Sequence, residues 1–539
     1  MKKNVVMFLI FIIAVTLMQA ESKIDWNKEV FYQIFPRSFY DSNGDGHGDL
    51  NGITAKIPYL KELGITAIWL NPLYLSELYH NYFADDFYAI DTEFGSIDDL
   101  TNLCKELHKN QMKILIDMET HYITGNHPWF KDSFGNPKSR YSTWIRYNDV
   151  NNTDPESIIW NLTEIPSYDG KKVKVMTLNL LNPEVIEYQK KLFAFFLDPN
   201  ADGDFTDGVD GFRMDHIMDN MDDKNQQTGL LEKLWKPVVD YTRGINPSLF
   251  YLVEPADWGY GDDLLNISGF DCTFVMPPRE AIMKMDGKKI MDTVKNYLNR
   301  KIDGKYQMIF IENHDLFPRY ATISNGNIQK IKTGALLNIT IPGIPCIYYG
   351  QEIGMKGKKI TTLGNDGADI LLRESFEWHR TVEGQGMAVW YQDHEYYKKR
   401  SYLRDNDGIS YEEQKNDSDS IFNYYRKLIE IRKSSNAIMK GDFVEIPVHG
   451  GKSNQVFSFL RTSGIEKILV IVNPAEKNSR VNLDLSNVLK KATQYKVRSL
   501  LTQEGFSIPD TRAFKDIRNI NNYTISLKGY ESIILTISE

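Results

Sequence analysis

Between Val30 and Gly350, short apolar segments rich in β-branched or aromatic residues alternate with longer amphipathic ones, and no other feature limits the fold of this chain so much. Eight of the short segments read as strands: Val30 to Phe35, Ile65 to Leu70, Lys113 to Asp117, Gly211 to Asp215, Phe250 to Glu254, Asp271 to Met276, Met308 to Glu312 and Cys346 to Gly350. Short, near-continuous apolar runs suit strands buried on both faces. In the stretch after the second, Leu100, Leu103, Cys104 and Leu107 stand at i, i+3, i+4 and i+7, the stripe of a helix with one buried face. Repeated β-α units wind a parallel sheet, and eight of them predict an α/β fold, a closed (β/α)8 TIM barrel.

The gap between the third and fourth strands is the longest, and its first part, 121–176, is rich in Trp, Pro, Asn and Asp with little periodicity. It reads as a small domain inserted into a barrel made of 21–120 and 177–434. After about Ser434, strand-like runs are separated by turns without intervening helices, which predicts a C-terminal antiparallel β-sandwich over 435–539. Lys2 and Lys3, the apolar run Val5 to Met18 and then Ala20 have the form of an export signal over 1–20, so the mature chain is expected from about Glu21, secreted or periplasmic. Cys104, Cys272 and Cys346 are odd in number and far apart, which suits core residues rather than a disulfide framework. A net charge of −9 without a sustained basic run excludes the electrostatic footprint of a nucleic-acid binder and favours a neutral partner. No stable membrane association is expected once the signal is removed.

Ionisable residues gather where the proposed strands end. Asp117 and His121 follow the third, Arg213 and Asp215 end the fourth, Glu254 ends the fifth, and Glu312, Asn313, His314 and Asp315 end the seventh. In a barrel this is the face that builds active sites. One acidic strand end is usually a cap or a solvated charge, but carboxylates converging from three strands, with an Arg beside one of them, point to chemistry. Glycoside hydrolysis with retention needs two carboxyl groups about 5 to 5.5 Å apart, one as nucleophile and one as acid then base. Asp215 and Glu254 can supply them. Arg213, two residues before Asp215 on one strand face, can hold that carboxylate ionised, whereas Glu254 sits in an apolar strand with no adjacent cation and can keep its proton.

These residues lie in ordered motifs, GFRMD (Gly211 to Asp215), LVEP (Leu252 to Pro255) and FIENHD (Phe310 to Asp315), through which the chain resembles the α-amylase family from Val30 to about Trp378. The resemblance implies Asp215 as nucleophile, Glu254 as acid/base and Asp315 as a third carboxylate gripping sugar hydroxyls. It also implies that Arg213, His121 and His314 line the subsite of cleavage. Tyr82, in the segment His80-Asn81-Tyr82, matches the family's stacking tyrosine, and Gln33 and Asp86 match further positions of that neighbourhood. Thr120 replaces the Asn that ligates calcium in many amylases, and Thr177 replaces a common Asp. Phe83 stands where exo-acting α-glucosidases carry an Asp, which favours internal cleavage.

Asp41, Asn43, Asp45, His47 and Asp49 place oxygen donors at alternate positions of a Gly-rich loop, the arrangement hard Ca2+ prefers, and a structural calcium site is expected there. The segment Asp198-Pro-Asn-Ala-Asp-Gly-Asp204 repeats the spacing; calcium or a plain acidic turn both fit it. The expected activity is retaining hydrolysis of α-1,4-glucosidic bonds in starch, glycogen or maltooligosaccharides. A transglycosylase or isomerase of the same family would use the same carboxylates and differ at acceptor-site aromatics such as Trp258 and Tyr260. A non-catalytic sugar-binding protein would be marked by loss of a carboxylate, and all three are present.

Overall fold

A computed structural model describes residues 24–221, 226–450, 455–490, 494–501 and 516–539. The expected export signal lies outside these residues. Eight parallel strands close into a barrel in which each pairs with its neighbours in chain order. They are β1 (Phe31–Ile34), β2 (Ala67–Leu70), β3 (Lys113–Met118), β4 (Gly211–Ile217), β5 (Phe250–Pro255), β6 (Cys272–Phe274), β7 (Tyr306–Ile309) and β8 (Ile344–Tyr348). The fold class is the one the alternation predicts. Two strands sit earlier than expected: β7 ends at Ile309, so Glu312 lies in the following loop, and β8 begins at Ile344.

Alternate residues of each strand face the barrel axis. Phe31, Ala67, Leu115, Phe250, Leu252, Cys272, Met308, Ile344 and Cys346 fill its interior as one apolar cluster. Trp26, from the turn Trp26–Lys28, stacks on Phe250 at 4.1 Å and belongs to the same cluster. Gly211 starts β4 because a Cβ there would meet Phe250 O at 2.0 Å. One step further along the same faces, the inward positions turn polar: Gln33 after Phe31, Asp117 after Leu115, Arg213 and Asp215 after Gly211, Glu254 after Leu252. The three cysteines are buried and free.

Between β3 and β4 the chain forms a three-stranded sheet of Tyr122–Thr124, Lys172–Thr177 and Glu164–Pro166, with an aromatic cluster of Trp129, Tyr141, Trp144 and Tyr188 beside it. After the last barrel helix come β9 (Asp442–Ile446), β10 (Val448–His449), β11 (Phe457–Ser463), β12 (Glu466–Val472), β13 (Ser479–Leu483), β14 (Lys496–Leu501), β15 (Tyr523–Leu527) and β16 (Ser532–Ser538). They form a five-stranded sheet, β9-β11-β12-β16-β14, and a three-stranded sheet, β10-β13-β15. The run Ile468 to Val472 is apolar throughout because it is buried on both sides. Leu469 and Ile471 face the sandwich core, while Ile468, Val470 and Val472 join the cluster that continues into the barrel's helices.

Candidate active site

Arg213 is the centre of the site. Its side chain is fully buried, with the guanidinium 5.1 Å from the ring centre of Trp69. Nη1 donates to both oxygens of Asp117, at 2.8 and 3.0 Å, and to Asp215 Oδ1; Nη2 donates to Glu254 Oε2 at 2.5 Å. Asp117 and Arg213 are register partners on neighbouring strands, so the β3–β4 pairing itself sets that contact. One cation thus touches carboxylates from three strands, which is what lets them share a water-poor space.

The two candidate reacting carboxyls are driven apart. Burial opposes charge on Asp215, but Arg213 and then His216 outweigh it and hold the carboxyl well below its usual range. On Glu254 burial dominates; Arg213 counters it, Asp215 and Asp315 add to it, and the carboxyl is pushed up to about 7. A carboxylate that stays charged beside a carboxyl that keeps its proton near neutrality is the division of labour a retaining glycosidase needs.

Asp315 is partly exposed, at 32 % of its side chain; its Oδ1 accepts from Arg373 Nη2 at 3.0 Å, and its Oδ2 stands 3.1 Å from His314 Nε2. Burial raises its pKa, opposed by Arg373. Gln33 Nε2 donates to Asn71 Oδ1 at 3.0 Å and to His314 Nδ1 at 2.8 Å, which leaves the proton of His314 on Nε2. Burial, with Arg373 and Arg213, holds His314 well below the usual imidazole value, so it is neutral. The rings of Tyr82 and His314 are parallel, centroids 5.5 Å apart and planes at 6°; the Tyr82 hydroxyl accepts from His314 Nε2 and donates to Asp117 Oδ2 at 2.9 Å. His80 walls the same region, accepting from Tyr82 N at 3.2 Å, and burial keeps it neutral.

Gln33, His80, Tyr82, Arg213, Asp215, Glu254, His314 and Asp315 therefore meet at one end of the barrel. His121 lies behind them: Nδ1 donates to Glu119 Oε2 at 2.8 Å, and its ring packs on His216 and Trp235. Asp86 instead accepts from Tyr88 N at 2.9 Å within its own strand, Asp86–Ile90, so its hydrogen bond is local. Glu312, grouped by sequence with the strand-end acids, is structural, accepting from Arg319 Nε at 3.0 Å and Tyr320 N at 2.6 Å. Sequence reasoning missed Asn71, Glu119, His216 and Arg373. Glu119 had a signal, two residues after Asp117; Arg373 comes from a distant turn and had none.

In the loop Asp41 to Asp49, Asp41 accepts from Asn43 N, Gly44 N and Gly46 N, Asn43 Oδ1 from Asp45 N, and Asp45 Oδ1 from His47 N. These side-chain oxygens accept from the backbone N–H groups of a tight loop whose Gly44 and Gly46 take φ +85° and +92°. Hard donors in that array fit Ca2+. Asp49 also caps the helix Leu50–Ala55, and the His47 ring faces Arg37 at 2.9 Å, which leaves its backbone carbonyl as its donor.

The family model for the α-amylase catalytic domain matches residues 33–233 and 273–441. The chain belongs to the α-amylase family. Membership makes it an enzyme of glycosidic bonds. Asp215 and Asp315 fall in the matched segments, and Glu254 lies in the break between them. Within the α-amylase family, the chain is 29% identical to "Alpha-amylase 3" of Dictyoglomus thermophilum over 94% of its own length and 96% of that relative. It is 30% identical to a 4-alpha-glucanotransferase of Thermotoga maritima, over 75% of this chain and 87% of the other. The solved alpha-amylase of H. orenii shares the fold, with a TM-score of 0.73 at 24% identity, covering 94% of this chain and 99% of that one.

Proposed function

We propose that the protein hydrolyses α-1,4-glucosidic bonds of starch, glycogen or maltooligosaccharides with retention, through a glycosyl-enzyme on Asp215, and that it is endo-acting. The observation that carries this is the single buried guanidinium of Arg213 on Asp215 and Glu254, with Asp215 held low and Glu254 raised to about 7. Asp215 attacks the anomeric carbon while Glu254 protonates the leaving oxygen; Glu254 then takes a proton from water as the ester is opened. Asp315, with Arg373 and His314 behind it, is the third carboxylate for sugar hydroxyls. Phe83 packs on Tyr122 at 5.6 Å, so no carboxylate marks a terminal sugar there.

A second reading, transfer to a sugar hydroxyl in place of water, is favoured by two exposed aromatics. Trp258 is 50 % and Phe317 44 % exposed, four residues after Glu254 and two after Asp315. Calcium at the Asp41 to Asp49 loop bracing β1, and export of the chain from about Glu21, complete the proposal. The test is incubation of the chain from Glu21 with starch, maltooligosaccharides and pullulan, beside an Asp215→Ala control. Short α-anomeric products support hydrolysis; lengthened oligosaccharides without new reducing ends support transfer; unchanged sugars refute both.

A further inference from the structure

His216 follows Asp215 in a strand, where the next side chain ordinarily points away from the barrel axis. Here it does not. Its φ is +22°, a conformation that side-chain-bearing residues adopt only under strain, and the β4–β5 pairing shifts register between Val253 and Pro255 at the same level. The result is that one residue meets both candidate carboxyls: the ring Nδ1 donates to Asp215 Oδ2, and the backbone N–H donates to Glu254 Oε2 at 3.2 Å. Glu119 Oε2 stands 3.3 Å from the same Nδ1, and Tyr122 lies on the ring at 5.6 Å with planes 15° apart. Glu119 is itself fixed, accepting from His121 N at 2.5 Å and His121 Nδ1 at 2.8 Å.

We infer that His216, clamped by Glu119, is a positioning residue for the nucleophile that acts chiefly when the glycosyl-enzyme breaks down. This rests on the proposed role of Asp215. Burial disfavours charge on the imidazole, but Glu119, Asp215 and, more weakly, Glu254 outweigh it and push it up to about 9. Asp215 therefore has a cation on each oxygen, Arg213 on Oδ1 and His216 on Oδ2. In the free enzyme its carboxylate is charged; in the glycosyl-enzyme it is a neutral ester. On breakdown, water oxygen bonds to the anomeric carbon, the carbon–carboxylate bond breaks, the electron pair returns to Asp215, and the water proton passes to Glu254. A donor aimed at the departing carboxylate gains strength along that step, so its loss slows breakdown. Formation of the ester begins from the charged carboxylate and loses no such help.

Steady-state kinetics on maltosyl α-fluoride, whose leaving group departs with little protonation, separates the two steps. In His216→Ala, kcat and KM are expected to fall together by ~100-fold, the loss typical of one oriented donor, with kcat/KM nearly kept. Acid-quenched intact mass should show more glycosyl adduct than in the native chain. His216→Asn, whose amide N–H can stand in for Nδ1, should recover part of kcat. Glu119→Gln should move kcat and KM the same way by less, and it serves as the test if His216→Ala does not fold. A fall in kcat/KM at unchanged or raised KM, no change, or no extra adduct would overturn the inference. Absence of adduct from every variant, with Asp215→Ala still active, would instead remove the nucleophile assignment beneath it.

Discussion

The inward side chains of β5 run Phe250, Leu252, Glu254, and those of β4 run Gly211, Arg213, Asp215, so the two strands pass from packing to charge side by side. Below, Phe250 is closed by Trp26 and needs no polar partner. Above, Glu254, Asp215 and Asp117 would repel one another where they are buried together, and Arg213 is what permits the arrangement. The lower half therefore supplies stability that any well-packed apolar set could supply, whereas the upper half depends on particular side chains. The two halves should come apart on substitution.

The largest separation is expected from Asp215→Ala, which should lower kcat/KM on maltooligosaccharides by about 10^4-fold or more while the thermal midpoint stays within a few degrees of native. Near-native turnover would end the distinction between the halves. Glu254→Gln should cost about 10^2 to 10^4-fold on sugar leaving groups and less in the first step on maltosyl α-fluoride. The same group sets the pH profile. Glu254 donates its proton, so kcat/KM should fall as pH rises through about 7, while the depressed Asp215 keeps the acid limb well below that. An alkaline limb that survives in Glu254→Gln would assign it elsewhere.

Leu252→Ala tests the other half. Leu252 is fully buried, and its loss should cost about 2 to 5 kcal/mol in denaturant unfolding with kcat changed only a few-fold at low temperature. The smallest effect is expected from chelation: calcium bound at the Asp41 to Asp49 loop would brace the segment after β1, so its removal should lower the thermal midpoint by a few degrees before it alters turnover.

Much of this was legible in the linear chain. The barrel could be read from apolar runs such as Lys113 to Asp117 and Gly211 to Asp215, because a strand buried on both faces leaves little freedom of composition. Arg213 and Asp215 were assignable to one face by their spacing alone. In the sandwich, the runs around Phe457, Ile468, Tyr523 and Ile533 were readable, but β13 and β14 were not, since Ser479–Leu483 and Lys496–Leu501 mix charged with apolar residues on half-exposed strands.

By itself the sequence determined which carboxylates stand at strand ends, because strand periodicity is local. It also marked Asp215 as the one with a cation beside it. Only the tertiary structure decided that Glu254 shares that cation, that Glu312 serves Arg319 instead of the site, and that Arg373 reaches Asp315 from a turn far along the chain. His216 shows the reason most plainly. Strand alternation turns it away from Asp215, and only a shift in pairing between two strands, with a backbone held at φ +22°, brings its ring onto the nucleophile.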